Sequence, residues 1–320
     1  MKKNKIKLIL APLHDFTDVI FRNIYSDYFS GFDEAIAPFI STMDQQRINP
    51  SRIRDVLPEL NQKLAVTPQI LSNSPKDFVF LASHLSEMGH SCVNWNLGCP
   101  QLKIVKKKKG SGFMPFVDDI DAFLDIVLKE MTVDLSIKIR LGRESPDEIY
   151  PLLKVFDNYP LREIILHPRT GSQFYNGSVD VDAFASVLKE TNHNMVYNGD
   201  ITSKSFFNKI RKRFPSISRF MIGRGVLENP FLPAIIKNIN ENPAKGDVKT
   251  LYDFINELFH GYREVKRHER LLGRMKSFWT YFNKAFQKND KAYRKILLSQ
   301  TENEYMTEVE NFFSSVRVAE

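Results

Sequence analysis

Short apolar runs alternate with amphipathic stretches over the first two-thirds of the chain. Most of these runs are apolar at every position, which is typical of parallel strands that are buried on both faces of a sheet. The pattern predicts eight strands, at residues 7–12, 34–40, 64–70, 91–96, 135–140, 163–167, 194–198 and 219–223.

The stretches between these strands have the spacing of amphipathic helices. In one of them Ser74 has the chemistry of an N-cap, and Pro75 follows it at the first helical position. Repeated alternation of strand and helix predicts a (β/α)8 TIM barrel. A doubly wound open sheet is the alternative, but no glycine-rich dinucleotide fingerprint follows the first strand. The helices are predicted at 16–29, 74–88, 118–129, 145–156, 180–189 and 202–214.

The character of the chain changes after a polar segment at about residues 240–247. No strand pattern follows this segment, and the remaining apolar positions have helical spacing. We therefore expect two domains, a barrel at 1–240 and a small all-helical domain at 245–320. The helices of the second domain are predicted at 252–265, 268–286, 290–298 and 302–316.

The composition indicates a folded protein with a polyanionic partner. The 320 residues carry 45 Lys and Arg against 38 Asp and Glu, a formal net charge of +7, and 42% are hydrophobic. Two cysteines are too few for a disulfide scaffold and fit a reducing compartment. No signal peptide, membrane span or heptad repeat is recognised, so we expect a cytoplasmic monomer without a stable protein partner.

One of the two cysteines lies in a turn that follows the fourth predicted strand. Cys99 is flanked by Gly98 and Pro100, so the backbone turns sharply there, and Asn94 and Asn96 precede it. A cysteine at this end of a barrel strand is well placed to face a substrate. The alternative is a small buried hydrophobe, because free cysteines are among the most buried residues.

Two glycine-containing turns follow the seventh and eighth predicted strands. Gly223 and Arg224 end the eighth strand, while Asn198, Gly199 and Asp200 end the seventh. Glycine lets the backbone approach a phosphate and arginine neutralises its charge, and TIM barrels often hold phosphate at these two strands. The alternative is a pair of ordinary turns.

Further polar residues stand at the ends of other strands. Lys138 interrupts an apolar strand and needs an anionic partner, such as the N1–C2 edge of a reduced flavin, unless it points outward at the rim. His167 and Arg169 suit contact with phosphate or substrate, and Gln69 suits the edge of a heterocycle. No cluster of metal ligands is recognised, so we expect no metal site.

Taken together, these motifs and their order resemble the tRNA-dihydrouridine synthase family. The resemblance spans roughly residues 7–235, and within the family the chain looks most like the bacterial branch that modifies position 16. Leu13 stands where the family usually has methionine, and the loop after Cys99 is bulkier and more basic than usual. The motifs are LAPL at 10–13, FTD at 16–18, FR at 21–22, PQ at 68–69, NLGCP at 96–100, KIR at 138–140, HPRT at 167–170, NGD at 198–200 and GRG at 223–225.

The resemblance implies an FMN-dependent enzyme that reduces the C5–C6 double bond of a uridine in the tRNA D-loop. NADPH would reduce the flavin, the flavin would pass hydride to C6 of the uracil, and Cys99 would protonate C5. Asn96 would orient the uracil, and Arg169 would contact the substrate. The residues expected to bind FMN are Ala11, Pro12, Leu13, Gln69, Lys138, His167, Asn198, Gly199, Asp200, Gly223 and Arg224.

Two basic regions are candidates for binding the tRNA. The first is the lysine run 106–109 beside the Cys99 turn, where Lys106 and Lys107 are expected contacts unless the run is simply a solvated charged loop. The second is the tail, where Arg274 and Lys276 are expected contacts. In the tail, basic residues (Arg263, Lys266, Arg267, Arg270, Arg274, Lys276, Lys284, Lys288) are interleaved with aromatic ones (Tyr262, Phe278, Trp279, Tyr281, Phe282).

Two other functions stay open from the sequence. An FMN-dependent barrel oxidoreductase that acts on a small molecule would share the phosphate motifs but would not need a basic helical tail. A tRNA-binding protein that has lost catalysis would be expected to have a damaged cysteine or lysine motif, whereas Cys99 and Lys138 are both intact.

Overall fold

The computed structural model describes residues 5–239, 248–265, 268–286 and 290–316. The predicted boundary between residues 240 and 245 lies outside these ranges. Within them, no helix is both long enough and apolar enough to cross a membrane.

Eight parallel strands close into a barrel, which confirms the predicted (β/α)8 fold. The first strand pairs with both the second and the eighth, so the sheet has no free edge at this point. In chain order the barrel strands are Lys7–Leu10, Glu34–Ile36 continued by Ile40–Ser41, Val66–Thr67 continued by Gln69–Leu71, Cys92–Leu97, Asp134–Gly142, Glu163–Thr170, Met195–Asn198 and Arg219–Ile222.

The second and third strands are each interrupted at a proline. Pro38 and Pro68 have no backbone N–H, so each removes one hydrogen bond from the ladder. Pairing resumes on both sides of the interruption, since Ala35 is in register with Val66 and Ile40 with Ile70. The barrel therefore closes through these strands.

Helices follow the strands as the sequence pattern predicted, with ends that differ by a few residues. Ser74 caps its helix by accepting from the backbone N–H of Asp77 at 3.3 Å, as expected. The principal barrel helices are Val19–Tyr28, Pro75–Glu87, Val117–Glu130, Ile149–Phe156, Val181–Val187 and Lys204–Arg213, with the short helices Pro50–Ile53, Leu102–Val105, Arg224–Glu228 and Leu232–Lys237.

The barrel interior is divided between an apolar half and a polar half. Strands 1, 2, 6, 7 and 8 contribute a small separate apolar cluster. On the other side the register sets Asn94 beside Ser136 and Asn96 beside Lys138. The barrel interior therefore combines a small apolar cluster with polar side chains. The apolar cluster is formed by Ile9, Ala11, Ile36, Ile165, Val196 and Met221.

The tail is helical throughout its described residues and packs on the barrel. Its first helix lies against the barrel helix Val19–Tyr28. Four of the five tail aromatics singled out in the sequence are buried in the core of this packing and are therefore structural. The tail helices are Val248–Arg263, His268–Phe282, Asp290–Leu298 and Glu302–Ser315.

One carboxylate joins the barrel to the tail. Asp18 caps the helix Val19–Tyr28 by accepting from the backbone N–H of Phe21 at 3.2 Å. It also accepts from the Tyr262 hydroxyl at 2.7 Å and from the Arg274 guanidinium at 2.5 Å. The Arg274 guanidinium stacks on the Tyr262 ring, 4.1 Å from its centroid, so the three side chains form one cluster.

We expect Asp18→Ala to lower the free energy of unfolding by about 2–4 kcal/mol, because it removes a helix cap and leaves a largely buried arginine without its carboxylate. Asp180→Ala is the matched control. Asp180 caps Val181–Val187 from an exposed position and has no cationic partner among the described residues, so its loss should cost about 1 kcal/mol. Urea denaturation measures both, and equal losses would contradict this role of Asp18.

Candidate active site

A cavity of about 260 Å³ opens at the carboxyl ends of the barrel strands. This is the rim at which a TIM barrel places its functional residues. Several of its polar and cationic residues are buried and form its floor, whereas its aromatic residues are half-buried or exposed and form its mouth. The floor includes Asn96, Cys99, Lys138, Arg140, His167 and Arg224, and the mouth includes His14, Phe16, Phe39, Phe174, Tyr175 and Tyr281.

The backbone of Cys99 is held on both sides. Its N–H donates to Asn96 Oδ1 at 2.9 Å, and its carbonyl accepts from the N–H and hydroxyl of Ser111 at 3.0 and 3.1 Å. Gly110 has a φ of +57°, and a Cβ there would lie 2.7 Å from the Cys99 carbonyl oxygen. Any side chain at Gly110 would displace the cysteine, so this glycine is required by close approach.

The environment of Cys99 keeps its side chain a thiol. Burial raises the pKa of Cys99, and the nearby cations Arg140 and Lys138 oppose this effect only in part. A protonated thiol is a proton donor, whereas a nucleophilic cysteine needs a lowered pKa. The site therefore suits a general acid at this position.

A buried amide chain fixes the residues behind Cys99. Asn96 donates to Gln69 Oε1 at 2.8 Å, Gln69 donates to Asn94 Oδ1 at 2.7 Å, and Asn94 donates to Ser136 Oγ at 2.8 Å. Asn96 lines the cavity, but Gln69 is fully buried and lines neither this cavity nor its neighbour. The expected contact of Gln69 with FMN stays a prediction.

Lys138 faces the cavity without an anionic partner. No hydrogen bond or ion pair to its ammonium is found among the described residues. Burial, together with the neighbouring Arg140, lowers the pKa of Lys138 to about 7. A buried ammonium is costly unless an anion meets it, so the side chain is set for an anionic or strongly accepting ligand.

A second cavity of about 70 Å³ adjoins the first and shares several of its walls. It is the place where the two glycine-containing turns meet. Asn198 donates to the carbonyl of Met221 at 3.0 Å and so ties the seventh strand to the eighth. The structure therefore brings together most of the residues predicted to bind FMN, since this cavity is lined by Ala11, Pro12, Leu13, Lys138, His167, Tyr175, Asn198, Gly199, Asp200, Gly223 and Arg224.

Arg169 is part of the frame behind this cavity. Its guanidinium binds both oxygens of Asp200, at 2.9 and 2.6 Å, and its side chain is only 1% exposed. It lines neither cavity. Asp200 also accepts from Arg224 at 3.1 Å, so Arg169 sets the carboxylate that in turn positions Arg224. We predicted a substrate contact for Arg169 from the sequence, whereas the structure places it behind the cavity wall, bound to Asp200.

The protonation state of His167 follows from its neighbour. Arg169 Nη1 lies 3.1 Å from His167 Nε2. Because a guanidinium can only donate, Nε2 is the acceptor and the imidazole proton sits on Nδ1. Burial and the surrounding cations Arg140 and Lys138 lower the pKa of His167 well below its usual value, which also keeps the ring neutral.

Two residues that shape the cavity had no role assigned to them from the sequence. Arg140 donates to the carbonyls of Gly98, Thr170 and Phe174 at 3.1, 2.7 and 2.7 Å. Tyr175 lies between two cations, with its ring centroid 5.4 Å from the Arg140 guanidinium and 4.4 Å from that of Arg224. Arg140 could have been found from the sequence because it belongs to the KIR motif. Tyr175 lies in a loop with no recognisable sequence motif.

The predicted RNA contacts are placed differently from one another. Lys106 and Lys107 are exposed beside the Cys99 turn. Arg274 is only 9% exposed, and its guanidinium forms an ion pair with Asp18 inside the protein. Lys276 is half-buried and donates to the carbonyl of Ser299. Of the other basic tail residues, Lys266, Arg267 and Lys288 lie outside the described residues.

The bulky loop after Cys99 is accommodated by turning inward. Phe113 is 4% exposed and Met114 is fully buried. The Phe113 ring lies 6.1 Å from that of Trp95 and 6.3 Å from that of Phe123, with both pairs in edge-on contact. The loop therefore anchors itself in the core behind the fourth strand and leaves its lysines at the surface.

Across the part of the chain that the structure describes, no group of three or more His, Cys, Asp and Glu side chains is arranged to hold a metal ion.

Solved structures with similar folds include an old yellow enzyme homologue from Zymomonas mobilis, with a TM-score of 0.52 at 12% identity over 73% of this chain and 89% of that one. Morphinone reductase gives a TM-score of 0.51 at 11% identity, covering 72% of this chain and 85% of the other. At these identities the likeness supports the barrel fold alone.

Sequence relatives extend the match to almost the whole chain. A tRNA-dihydrouridine synthase B from Pasteurella multocida is 27% identical over 242 residues, which is 75% of this chain and 71% of the relative. A probable tRNA-dihydrouridine synthase from Staphylococcus aureus is 27% identical over 278 residues, 82% and 81% of the two chains. The family model for dihydrouridine synthase matches residues 9–317. The chain therefore belongs to the dihydrouridine synthase family and is an oxidoreductase of that family.

Proposed function

We propose that this enzyme reduces the C5–C6 double bond of a uridine in the tRNA D-loop, with bound FMN as its cofactor and NADPH as its electron donor. The observation that carries the proposal is that the Cys99 thiol and the unpaired Lys138 ammonium face the same cavity. Position 16 is the target that the sequence resemblance favours.

The charged and glycine-containing lining of the two adjoining cavities supports FMN as the cofactor. Lys138 would hold the anionic edge of the flavin ring, and Gly199, Gly223 and Arg224 would hold the phosphate. Neutral His167 offers its Nδ1–H as a further donor. When bound, the flavin supplies a hydride that it has taken from NADPH.

Cys99 supplies the proton that completes the reduction. As hydride arrives at C6, negative charge develops at C5 and on the adjoining carbonyl. The raised pKa keeps Cys99 protonated until that moment, and Asn96 holds its backbone in place. Arg140 stands beside it and would stabilise the developing negative charge.

A single extruded base is the form of uridine that this site can accept. The cavity is concave and its mouth is aromatic, which suits a planar pyrimidine taken out of its stack. Lys106 and Lys107 are exposed at the same rim and would meet phosphates on either side of the base. In this proposal the barrel, residues 1–240, binds FMN and performs catalysis.

The helical part, residues 245–320, is proposed to bind the rest of the tRNA. Lys276 is retained as a candidate contact because it is only half-buried. Arg274 is not retained, since Asp18 holds its guanidinium. We propose instead that Arg274 acts by fixing the orientation of the helical part on the barrel.

The proposed reaction is tested with FMN, NADPH and unmodified tRNA, followed by digestion and mass spectrometry of the nucleosides. We expect a nucleoside two mass units heavier than uridine, and sequencing of the fragments gives its position. Loss of the general acid in Cys99→Ala should lower product formation by about 100-fold or more. Flavin reduction by NADPH should be unchanged in that variant.

Cys92→Ala is the matched control for this experiment. Cys92 is the other cysteine and lies at the opposite end of the same strand, where it is buried and does not line the cavity. Product formation should survive this substitution. FMN binding with turnover of a small enone or pyrimidine, and no product in tRNA, would instead favour the small-molecule oxidoreductase.

The pKa of Lys138 gives a prediction for the FMN-free protein. Because its pKa is about 7 in the folded chain against a usual 10.5, folding disfavours the charged lysine, and this penalty is complete below pH 7. The penalty fades as the pH rises toward 10.5. We expect Lys138→Met to be more stable than the original chain at pH 6, with a gap that narrows by pH 10.

Denaturant unfolding at several pH values measures this gap, and FMN titration of the same variant provides the functional counterpart. The variant should bind FMN at least about tenfold more weakly, since one charge-assisted contact is lost. A stability gap that does not change with pH would show that Lys138 is not held in a desolvated, unpaired state.

A further inference from the structure

A residue of the helical tail reaches the catalytic cavity. Tyr281 lies in the tail helix His268–Phe282, yet it lines the cavity together with Cys99 and Lys138. No other tail residue does so among those described. The wall of the active site is therefore completed by a part of the chain outside the barrel.

The position of Tyr281 follows from how its helix is docked. Arg274, Phe278 and Tyr281 are spaced by four and three residues, so they share one helix face. Arg274 is bound to Asp18, and the Phe278 ring is stacked on Phe21 at 5.8 Å with an interplanar angle of 6°. Because these two contacts fix the orientation of the helix, Tyr281, which lies on the same face, is placed at the cavity mouth.

The contacts of Tyr281 hold its ring and leave its hydroxyl available. The ring packs edge-on against Phe16 at 5.4 Å, and Phe16 in turn packs edge-on against Phe278 at 5.1 Å. No hydrogen bond to the Tyr281 hydroxyl is found within the described ranges, and Arg224 and Tyr175 line the same cavity. A half-buried phenol with a fixed ring and a free O–H is arranged to meet a ligand.

The position of Tyr281 relative to the two cavities indicates whether it would meet the cofactor or the nucleotide. The smaller cavity, with Gly199 and Gly223, is the proposed phosphate site of the cofactor, and Tyr281 does not line it. Of the two cavities Tyr281 lines only the larger one, together with Cys99 and the other aromatic residues. A sugar–phosphate backbone passing this mouth offers hydroxyl and phosphate acceptors for a phenol O–H.

We propose that Tyr281 is a positioning residue for the target nucleotide, with its hydroxyl donating to the ribose–phosphate backbone and its ring supporting the extruded nucleotide at the cavity mouth. This inference rests on the proposed function. It makes capture of the base depend on correct docking of the tail, because the tail supplies part of the pocket.

The test compares Tyr281→Phe and Tyr281→Ala in single-turnover reactions of the FMN-reduced enzyme with unmodified tRNA. Loss of one hydrogen bond should slow dihydrouridine formation by about three- to tenfold in Tyr281→Phe. Loss of the ring as well should slow it by about 30-fold or more in Tyr281→Ala. Phosphate contacts elsewhere carry most of the affinity, so the Kd for tRNA should change by less than about threefold.

The controls are Tyr293→Phe and Tyr293→Ala. Tyr293 is also half-buried in a tail helix, Asp290–Leu298, but it does not line the cavity. These variants should react at the original rate. FMN affinity and the melting temperature should be unchanged in Tyr281→Phe, which separates positioning from a structural role.

Three outcomes would overturn the inference. The first is a Tyr281→Phe variant that reacts like the original chain, and the second is an equal loss in the Tyr293 variants. The third is a weakened FMN affinity that accounts for the slower reaction, which would assign Tyr281 to the cofactor. A failure of the original chain to form dihydrouridine at all is a different result, because it would contradict the proposed function itself.

Discussion

The site depends on positive charge that the fold holds without a matching set of carboxylates. Lys138, Arg140 and Arg224 line the two adjoining cavities, and Asp200 is the only carboxylate among the described residues that line them. Burial lowers the pKa of Lys138 to about 7 and that of Arg140 to about 10, which expresses the cost of keeping these groups charged. The free-energy cost of burying these charges is tolerated where an anionic ligand offsets it. Strongly shifted pKa values of this kind are concentrated at functional sites.

The neighbouring residues convert this charge into a shaped site. Arg169 pairs with Asp200 behind the cavity, and the pair orients Arg224 and fixes the tautomer of His167. On the other side Asn96 and Ser111 hold the Cys99 turn. These contacts hold the groups that would meet substrate and cofactor in place before either arrives.

Much of this arrangement could be predicted from the sequence because it is local. Continuous apolar runs located all eight strands, and a parallel barrel brings their carboxyl ends to one rim, which is why Cys99, Lys138 and the turn at Gly223 were found. Ser74 was found for the same reason, since an N-cap acts within one helical turn.

What could not be predicted depends on partners far along the chain. The local sequence predicts Arg274 as an RNA contact, whereas in the structure Asp18, which is 256 residues away, binds its guanidinium. Arg169 was assigned to the substrate because its burial against Asp200 leaves no mark in the local pattern. Tyr281 reaches the site only through the docking of a whole helix, which the sequence does not specify.

A crystal structure with FMN bound tests the central claim most directly. The account predicts the flavin N1–C2 edge beside Lys138 Nζ, the phosphate at the turns of Gly199 and Gly223, and the Cys99 thiol facing an open space next to the ring. A flavin that is bound elsewhere, or turned so that Lys138 meets no acceptor, would contradict the account.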